Sequence, residues 1–260
     1  MAYEFIRVDR EGPVTIFTLN RPEVMNALHS PAHFELHEAF DAFAADPEQW
    51  VGIVTGAGER AFSAGNDLKH QATGGGMASP PSGFAGLTSR FDLNKPLIAA
   101  VNGVAMGGGF EIALACDLII ASEAATFALP EPRVGLAALA GGLHRLPRMI
   151  GQKQALGMIL TGRRVSAAEG QALGFVNGVV APADLLDAAR RWAAQICELS
   201  PMSIRASKEA VYKGLDEPTL EAAIKGQMRY PAVSALFKSE DFVEGPMAFA
   251  QKRAPAWKGR

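Results

Sequence analysis

Val101-Asn-Gly-Val-Ala-Met-Gly-Gly-Gly-Phe-Glu-Ile-Ala-Leu-Ala-Cys-Asp-Leu-Ile-Ile-Ala121 is the stretch from which the rest of the chain is read. An apolar run, Pro96 to Val101, precedes it and reads as a buried strand. Gly107, Gly108 and Gly109 make a turn, and the following Phe110–Asp117 segment is apolar except for Glu111 and Asp117 and rich in helix formers. Strand, glycine turn, helix is the local reading. The first N–H groups of a helix have no internal partner and lie at the positive end of its dipole, so such a turn suits an oxygen that becomes negative. Glu111 lies three residues beyond Gly108, on the same helix face. From this stretch alone, a glycine turn with a structurally satisfied Glu111 is as good a reading as an anion site with a carboxylate beside it.

The bulk properties narrow the function classes. At 260 residues the chain can bury a substantial core, and 48% hydrophobic with 20% charged residues is globular composition. A net charge of −2 gives no global attraction to nucleic acid or anionic membrane. Two cysteines, Cys116 and Cys197, make no disulfide framework and fit a reducing compartment. No run long enough to span a membrane and no leader-like N-terminus is present, so a cytoplasmic protein is expected.

Before the central stretch, Tyr3–Val8 and Val14–Leu19 read as a hairpin joined by the polar link Asp9–Pro13. Ser30-Pro31 reads as an N-cap followed by proline, opening a helix to about Ala45. His29, His33 and His37 recur every four residues. With no cysteine or well-spaced carboxylate beside them, a packed or solvated helix face is expected rather than a metal site. Val51–Thr55 is a buried strand, and Ala64-Gly65-Asn66 is a second small-residue corner. Gln71–Arg90, rich in Gly, Ser and Pro, reads as a mobile lid, because glycine corners flank it.

Beyond the central helix, Glu131 stands between Pro130 and Pro132, which predicts an extended loop with a rigidly aimed carboxylate. Ser166–Glu169 is a capping box, and Phe175–Val180 a strand. From Pro201 onward the pattern is helical, with Met228, Tyr230, Phe237, Phe242 and Phe249 offering apolar surface to the core or to another subunit. Short strand–strand–helix units recur loosely, which allows a spiral of repeats.

Ile98–Glu131, flanked by NRPEVMNAL, AFSAGNDLK, LTGRRVSAAEGQALGFVNGVV and SEDFVEGPMAFAQKRAPAWK, resembles the crotonase (enoyl-CoA hydratase/isomerase) superfamily over nearly the whole chain. The resemblance implies an α/β fold: a spiral of ββα units over residues 1–200 and a helical trimerisation region over 201–260. It implies an acyl-CoA thioester substrate and a homotrimer or a hexamer, with no metal and no cofactor beyond the substrate's own coenzyme A. It places an enolate oxygen at the N–H groups of Asn66 and Gly108, and catalytic carboxylates at Glu111 and Glu131. Glu111 would deprotonate water and Glu131 would protonate Cα, one of the two having a raised pKa. The CoA contacts would be Ala64, Lys69, Phe249 and Lys252.

The sequence departs from the common hydratase pattern at Ala138-Leu139, where a Pro-Gly pair is usual. A leucine there is expected to narrow or reshape the acyl pocket. Branched, carnitinyl-like and terpenoid-derived acyl groups all stay open. Paired glutamates favour an enoyl-CoA hydratase; an isomerase, racemase or thioester hydrolase is the alternative. A non-catalytic RNA-binding relative would want a lysine-rich helix, whereas the first helix carries Glu35, Glu38 and Asp41.

Overall fold

A computed structural model describes residues 3–76 and 78–260; Met77, within the Gln71–Arg90 stretch, lies outside the described residues. The chain opens with an antiparallel hairpin, β1 (Ile6–Glu11) and β2 (Val14–Leu19). The first strand runs on through Asp9–Glu11, and the turn is only Gly12-Pro13, a tighter hairpin than the polar link suggested. α1 (Ser30–Ala45) then crosses the sheet and buries Leu36, Phe40 and Phe43. The Phe40 and Phe43 rings meet Phe17 of β2 at centroid distances of 4.4 and 5.6 Å. Its N-cap is His29, not Ser30, whose hydroxyl is spent on the Ala78 carbonyl instead (2.8 Å).

Three successive units now repeat one plan. β3 (Val51–Gly56) joins the first sheet and β4 (Ala61–Ser63) the second, and the short α2 (Leu68–Ala72) follows. β5 (Leu97–Val101), β6 (Val104–Met106) and α3 (Gly108–Ala115) form the next unit, and β7 (Leu118–Ser122) and β8 (Thr126–Ala128) open the third. The third unit returns through α4 (Gly142–Ile150) and α5 (Gln152–Thr161), then β9 (Val165–Ser166) and α6 (Ala167–Leu173). β10 (Gly178–Val180) closes the first sheet and α7 (Leu185–Cys197) packs back across β3, β5 and β7. The orders are β1-β2-β3-β5-β7-β10 and β4-β6-β8-β9, with β3, β5, β7 and β10 parallel, as are β4, β6 and β8. One strand per turn in each sheet is a spiral of ββα units, the architecture expected.

Strands buried on both faces lose the alternating pattern, which is why β3 and β5 read as unbroken apolar runs. Side-chain amides staple one turn of the spiral to the next. Asn102 donates to the Gly58 and Ala61 carbonyls, and Asn26 to those of Ala57 and Ala61. The strand Phe175–Val180 contracts to β10, and Glu131 opens a short 3-10 turn (Glu131–Val134) rather than an extended loop. The capping box is present, with Ser166 Oγ accepting from the Glu169 N–H at 3.2 Å. After α7 come only helices: α8 (Pro201–Asp216), α9 (Leu220–Gly226), α10 (Pro231–Leu236) and α11 (Glu240–Ala250).

α3 is fixed by three phenylalanines: Phe110 on the helix, Phe127 on β8 and Phe175 ahead of β10. Their ring centroids are 5.2 Å apart pairwise, and Phe110 and Phe127 are fully buried. Truncating a fully buried ring removes transfer energy and leaves a cavity. Phe127→Ala is therefore expected to destabilise the fold by about 3–5 kcal/mol, read as a lowered urea midpoint with an unchanged denaturant slope.

Candidate active site

Two corners meet at the N-terminus of α3. The first is Ala64-Gly65-Asn66, at the end of β4. Leu28 pairs with Asn66 as an isolated parallel bridge, bonded through the Gly65 carbonyl and the Asp67 N–H. Those bonds turn the Asn66 N–H to the opposite side, where it has no protein acceptor among the described residues. Gly65 has φ +87°, and a Cβ there would lie 2.7 Å from the Met106 carbonyl and 2.8 Å from the Gly108 nitrogen. Only glycine lets the corner come this close to the second one. Gly108 is the first residue of α3, and its N–H also lacks a protein acceptor among the described residues. The structure thus brings Asn66 and Gly108 together, at the positive end of a helix.

The Ala64 corner is held from behind. Arg21 Nη1 donates to Asp67 Oδ2 at 2.9 Å and to the Ala27 carbonyl at 2.6 Å, and Asp67 caps α2 through the His70 N–H. Burial would raise the Asp67 carboxyl, but these donors outweigh it and hold its pKa below the usual range. Neither Arg21 nor Asp67 stood out in the sequence, although both lie inside the blocks NRPEVMNAL and AFSAGNDLK.

Glu111 lies in the first turn of α3, 3% exposed. Its Oε1 accepts from the Gly142 N–H at 2.8 Å, at the start of α4. Burial pushes its pKa up to about 7; the Gly142 and Ala140 amides pull down and the neighbouring Glu131 carboxyl pushes up. Glu131 lies across the same turn: a Cβ on Gly107 would sit 2.8 Å from its Oε1. Its Oε2 is buried and has no partner among the described residues, and burial raises this carboxyl too. Both carboxyls are displaced upward, where the sequence reading expected only one. A buried carboxyl, a half-buried one and two N–H groups without an acceptor among the described residues, all around one helix N-terminus, can shuttle protons beside an oxygen that gains charge.

One wall of this space is Phe84: a Cβ on Gly108 would lie 2.6 Å from its ring. Phe84 belongs to the Gln71–Arg90 stretch, whose second half is fastened to α1 by the histidine face. His33 Nδ1 accepts from the Ala85 N–H at 3.0 Å, with its ring centroid 4.4 Å from that of Phe84. Ser82 Oγ is 2.8 Å from His37 Nδ1, and Arg90 reaches the His37 carbonyl (2.8 Å) and Asp41 (2.7 Å). Burial pushes His33 down to about 4, keeping the imidazole neutral and able to accept. The four-residue histidine repeat is thus a packed face, and residues 80–90 form a bound cover rather than a free lid.

Ala138 is buried in the main core, and Leu139 is 80% exposed. The leucine therefore stands at an outer lip of the Glu111 corner and does not fill the interior, because the Ala137–Leu139 turn directs it outward (Leu139 N–H to Ala137 O, 2.8 Å). Lys69, on α2, is exposed next to the Ala64 corner. Phe249 (88% exposed) lies at the end of α11 and Lys252 just past it; α11 packs on α8, and no contact among the described residues brings either to the Ala64 corner.

Residues 9–260 match a protein-family model described as enoyl-CoA hydratase/isomerase. A carnitinyl-CoA dehydratase of Salmonella arizonae is 47% identical over 262 residues, covering 98% of this chain and 99% of that protein. The crystal structure of enoyl-CoA hydratase EchA1 from Mycobacterium marinum superposes with a TM-score of 0.92 at 39% identity, covering 98% of this chain and 99% of that one. That of carnitinyl-CoA hydratase from Mycobacterium avium gives 0.78 at 40% identity, with the same coverage.

The buried Glu111 has a stability consequence. Its folded pKa, about 7, exceeds its ordinary 4.5, so the folded state binds more protons than the unfolded one between those values, and stability falls as pH rises through that window. Glu111→Gln keeps an acceptor for the Gly142 N–H but cannot ionise. The variant is expected to be more stable than wild type above pH 7, by up to about 3 kcal/mol, with the two curves converging below pH 4.5. Urea titrations across pH 4–8 measure this.

Proposed function

Because the chain belongs to the enoyl-CoA hydratase/isomerase family and is a hydratase-type lyase, we propose that Glu111 and Glu131 are the pair through which it adds and removes water at C2–C3 of an acyl-CoA thioester. The observation that carries this reading is the pairing of the Glu111 carboxyl with the unpartnered, buried Oε2 of Glu131 beside two unbonded N–H groups.

In the hydration direction, ionised Glu111 takes a proton from water and the hydroxide oxygen bonds to C3. The C2–C3 π pair moves to C2–C1, and the thioester oxygen becomes an enolate. The Asn66 and Gly108 N–H groups receive that charge, each donor worth a few kcal/mol in the transition state. Protonated Glu131 then delivers its proton to C2 and the carbonyl re-forms. One water is added, and the carboxyls return to their starting states by exchange with solvent. Dehydration runs the same steps in reverse. The thioester makes the C2 proton acidic, so this scheme asks for no group beyond the substrate's own coenzyme A. Ala64 and Lys69 at the first corner would meet the CoA arm, with Phe249 and Lys252 contributed across a subunit boundary.

For the acyl group we take the 3-hydroxy-4-trimethylammonio chain of carnitinyl-CoA. The support is full-length identity of 47% to a carnitinyl-CoA dehydratase, and electrostatics: a quaternary ammonium on C4, two bonds from C3, would face two carboxyls and carries no hydrogen-bond donor to satisfy. Leu139, at the lip of the Glu111 corner, would touch its methyl groups.

Exposed Val211, Leu215, Leu220, Ile224, Met228, Val243 and Phe249 load residues 201–260 with apolar surface. They support a subunit interface and a homotrimer or a dimer of trimers. No described helix is long and apolar enough to cross a membrane, and a cytoplasmic enzyme is the reading we adopt.

Loss of conjugated enoyl-thioester absorbance tests the chemistry, with 2-butenoyl-CoA and its 4-trimethylammonio derivative as substrates. Wild type should hydrate the cationic substrate faster, and Glu111→Gln and Glu131→Gln should each lower kcat by about 10²- to 10⁴-fold. A protein that binds these thioesters and turns over neither would overturn the hydratase reading; a preference for the uncharged chain would overturn only the acyl assignment. Sedimentation equilibrium should give three or six times the 27.5 kDa protomer mass; a monomer would refute the interface.

A further inference from the structure

The corner that holds Glu111 is itself held from outside. Arg145 sits one turn into α4, its N–H bonded to the Gly141 carbonyl at 2.8 Å. Its side chain folds back onto the same corner, so that Nη1 occupies the place a Cβ on Gly141 would take; Gly141 also has φ +109°. Nη2 donates to the Thr88 carbonyl at 2.9 Å, and the guanidinium carbon stands 5.9 Å from the Phe91 ring centroid. Thr88 is buried, and its N–H bonds to the Phe84 carbonyl at 3.1 Å. A closed circuit results: Phe84 on Gly108, Thr88 to Arg145, Arg145 on Gly141, Gly142 to Glu111, and Glu111 back on α3.

We propose that Arg145 is a positioning residue that ties the Gly141–Gly142 corner to the cover, and so fixes where the Glu111 carboxyl points; the catalytic side of this inference rests on the hydratase reading. The fork geometry explains the choice of arginine. One planar group must span a glycine corner and reach a carbonyl on another segment while keeping its charge. That charge also acts on Glu111 through the corner, opposing the upward push of burial. Glu111 is faced by Glu131 from the 3-10 turn and by Arg145 from α4. Arg145 is faced by Glu111 and the Cys116 thiol from α3 and its end, and by the Tyr212 hydroxyl from α8. Tyr212 in turn donates to Asp117, which also holds Lys208.

Two variants test the inference, Arg145→Gln and Arg145→Lys, each followed by infrared titration of the Glu111 carboxyl (assigned by its disappearance in Glu111→Gln) and by the pH dependence of kcat/KM. Arg145→Gln should lower kcat/KM about 10-fold or more and move the Glu111 midpoint, with the rising limb of the hydration rate, upward by roughly half a pH unit or more. Arg145→Lys should keep the midpoint near that of wild type yet still lose kcat, because a point charge cannot bridge Gly141 and Thr88 together. An Arg145→Gln enzyme with unaltered midpoint and kcat/KM, changed only in melting temperature, would overturn the proposal. If that variant does not fold, Arg145→Lys with wild-type kcat does the same. Failure of the hydratase reading itself shows separately, as a wild type without turnover, and the infrared midpoints still decide whether Arg145 governs Glu111.

Discussion

The Gly65 backbone passes so close to the start of α3 that a single Cβ would collide with both the Met106 carbonyl and the Gly108 nitrogen. This contact joins the end of β4 to the end of β6, two parallel neighbours in the second sheet. In a spiral, each turn must repeat at strand spacing, so the loops leaving β4 and β6 are forced side by side. The N–H of Asn66, turned outward by its bridge to Leu28, and the N–H of Gly108, unbonded by its place at a helix start, are therefore brought together by the packing of the fold. Preorganised donors of this kind cost no rearrangement when charge develops between them.

The same helix start carries the burden of two carboxyls. The dipole of α3 and the Gly142 N–H favour an ionised Glu111, while burial and Glu131 oppose it, and burial wins far enough to bring the group near neutrality. A carboxyl poised there exchanges protons in either direction at physiological pH, which suits a reversible reaction. The stability lost on burying it is supplied elsewhere, by the Phe110–Phe127–Phe175 cluster under α3 and by the aromatic packing of α1 on β2.

Much of this was legible in the residues. The unbroken apolar runs of β3 and β5, the glycine turn before α3 and the ordered family-like blocks identify the fold and single out Glu111 and Glu131 as candidates. What escaped had physical reasons. β6 is three residues long and follows β5 after a two-residue turn, so it has no periodicity of its own. Ser30 has the composition of a cap, but tertiary contact with Ala78 claimed its hydroxyl. The His33–His37 spacing is meaningful only against the cover these two residues bind, and the Gly/Ser/Pro composition of that cover suggested mobility because local sequence does not reveal anchors 45 to 53 residues away. Leu139 was expected from its place in a pattern to narrow or reshape a pocket, and its 80% exposure after the Ala137–Leu139 turn is a tertiary feature that the pattern does not carry.

These differences sort the chain into two kinds of segment. The Asn66 and Gly108 N–H groups and Glu111 sit on elements clamped by the sheets and the aromatic core, where a shift of one residue would reverse a strand face or break a helix start. The surfaces that would meet an acyl chain, residues 80–90 and 133–141, lie outside both sheets and are held by side-chain contacts: Arg90 to Asp41, Ala85 to His33, Arg145 to Thr88. Side-chain contacts can be exchanged without moving a strand. An acyl preference can therefore change by substitutions in those two segments while the chemistry stays intact, provided the contacts that aim Glu111 survive. Arg145 sits where the two requirements meet, since it touches the cover on one side and the Glu111 corner on the other.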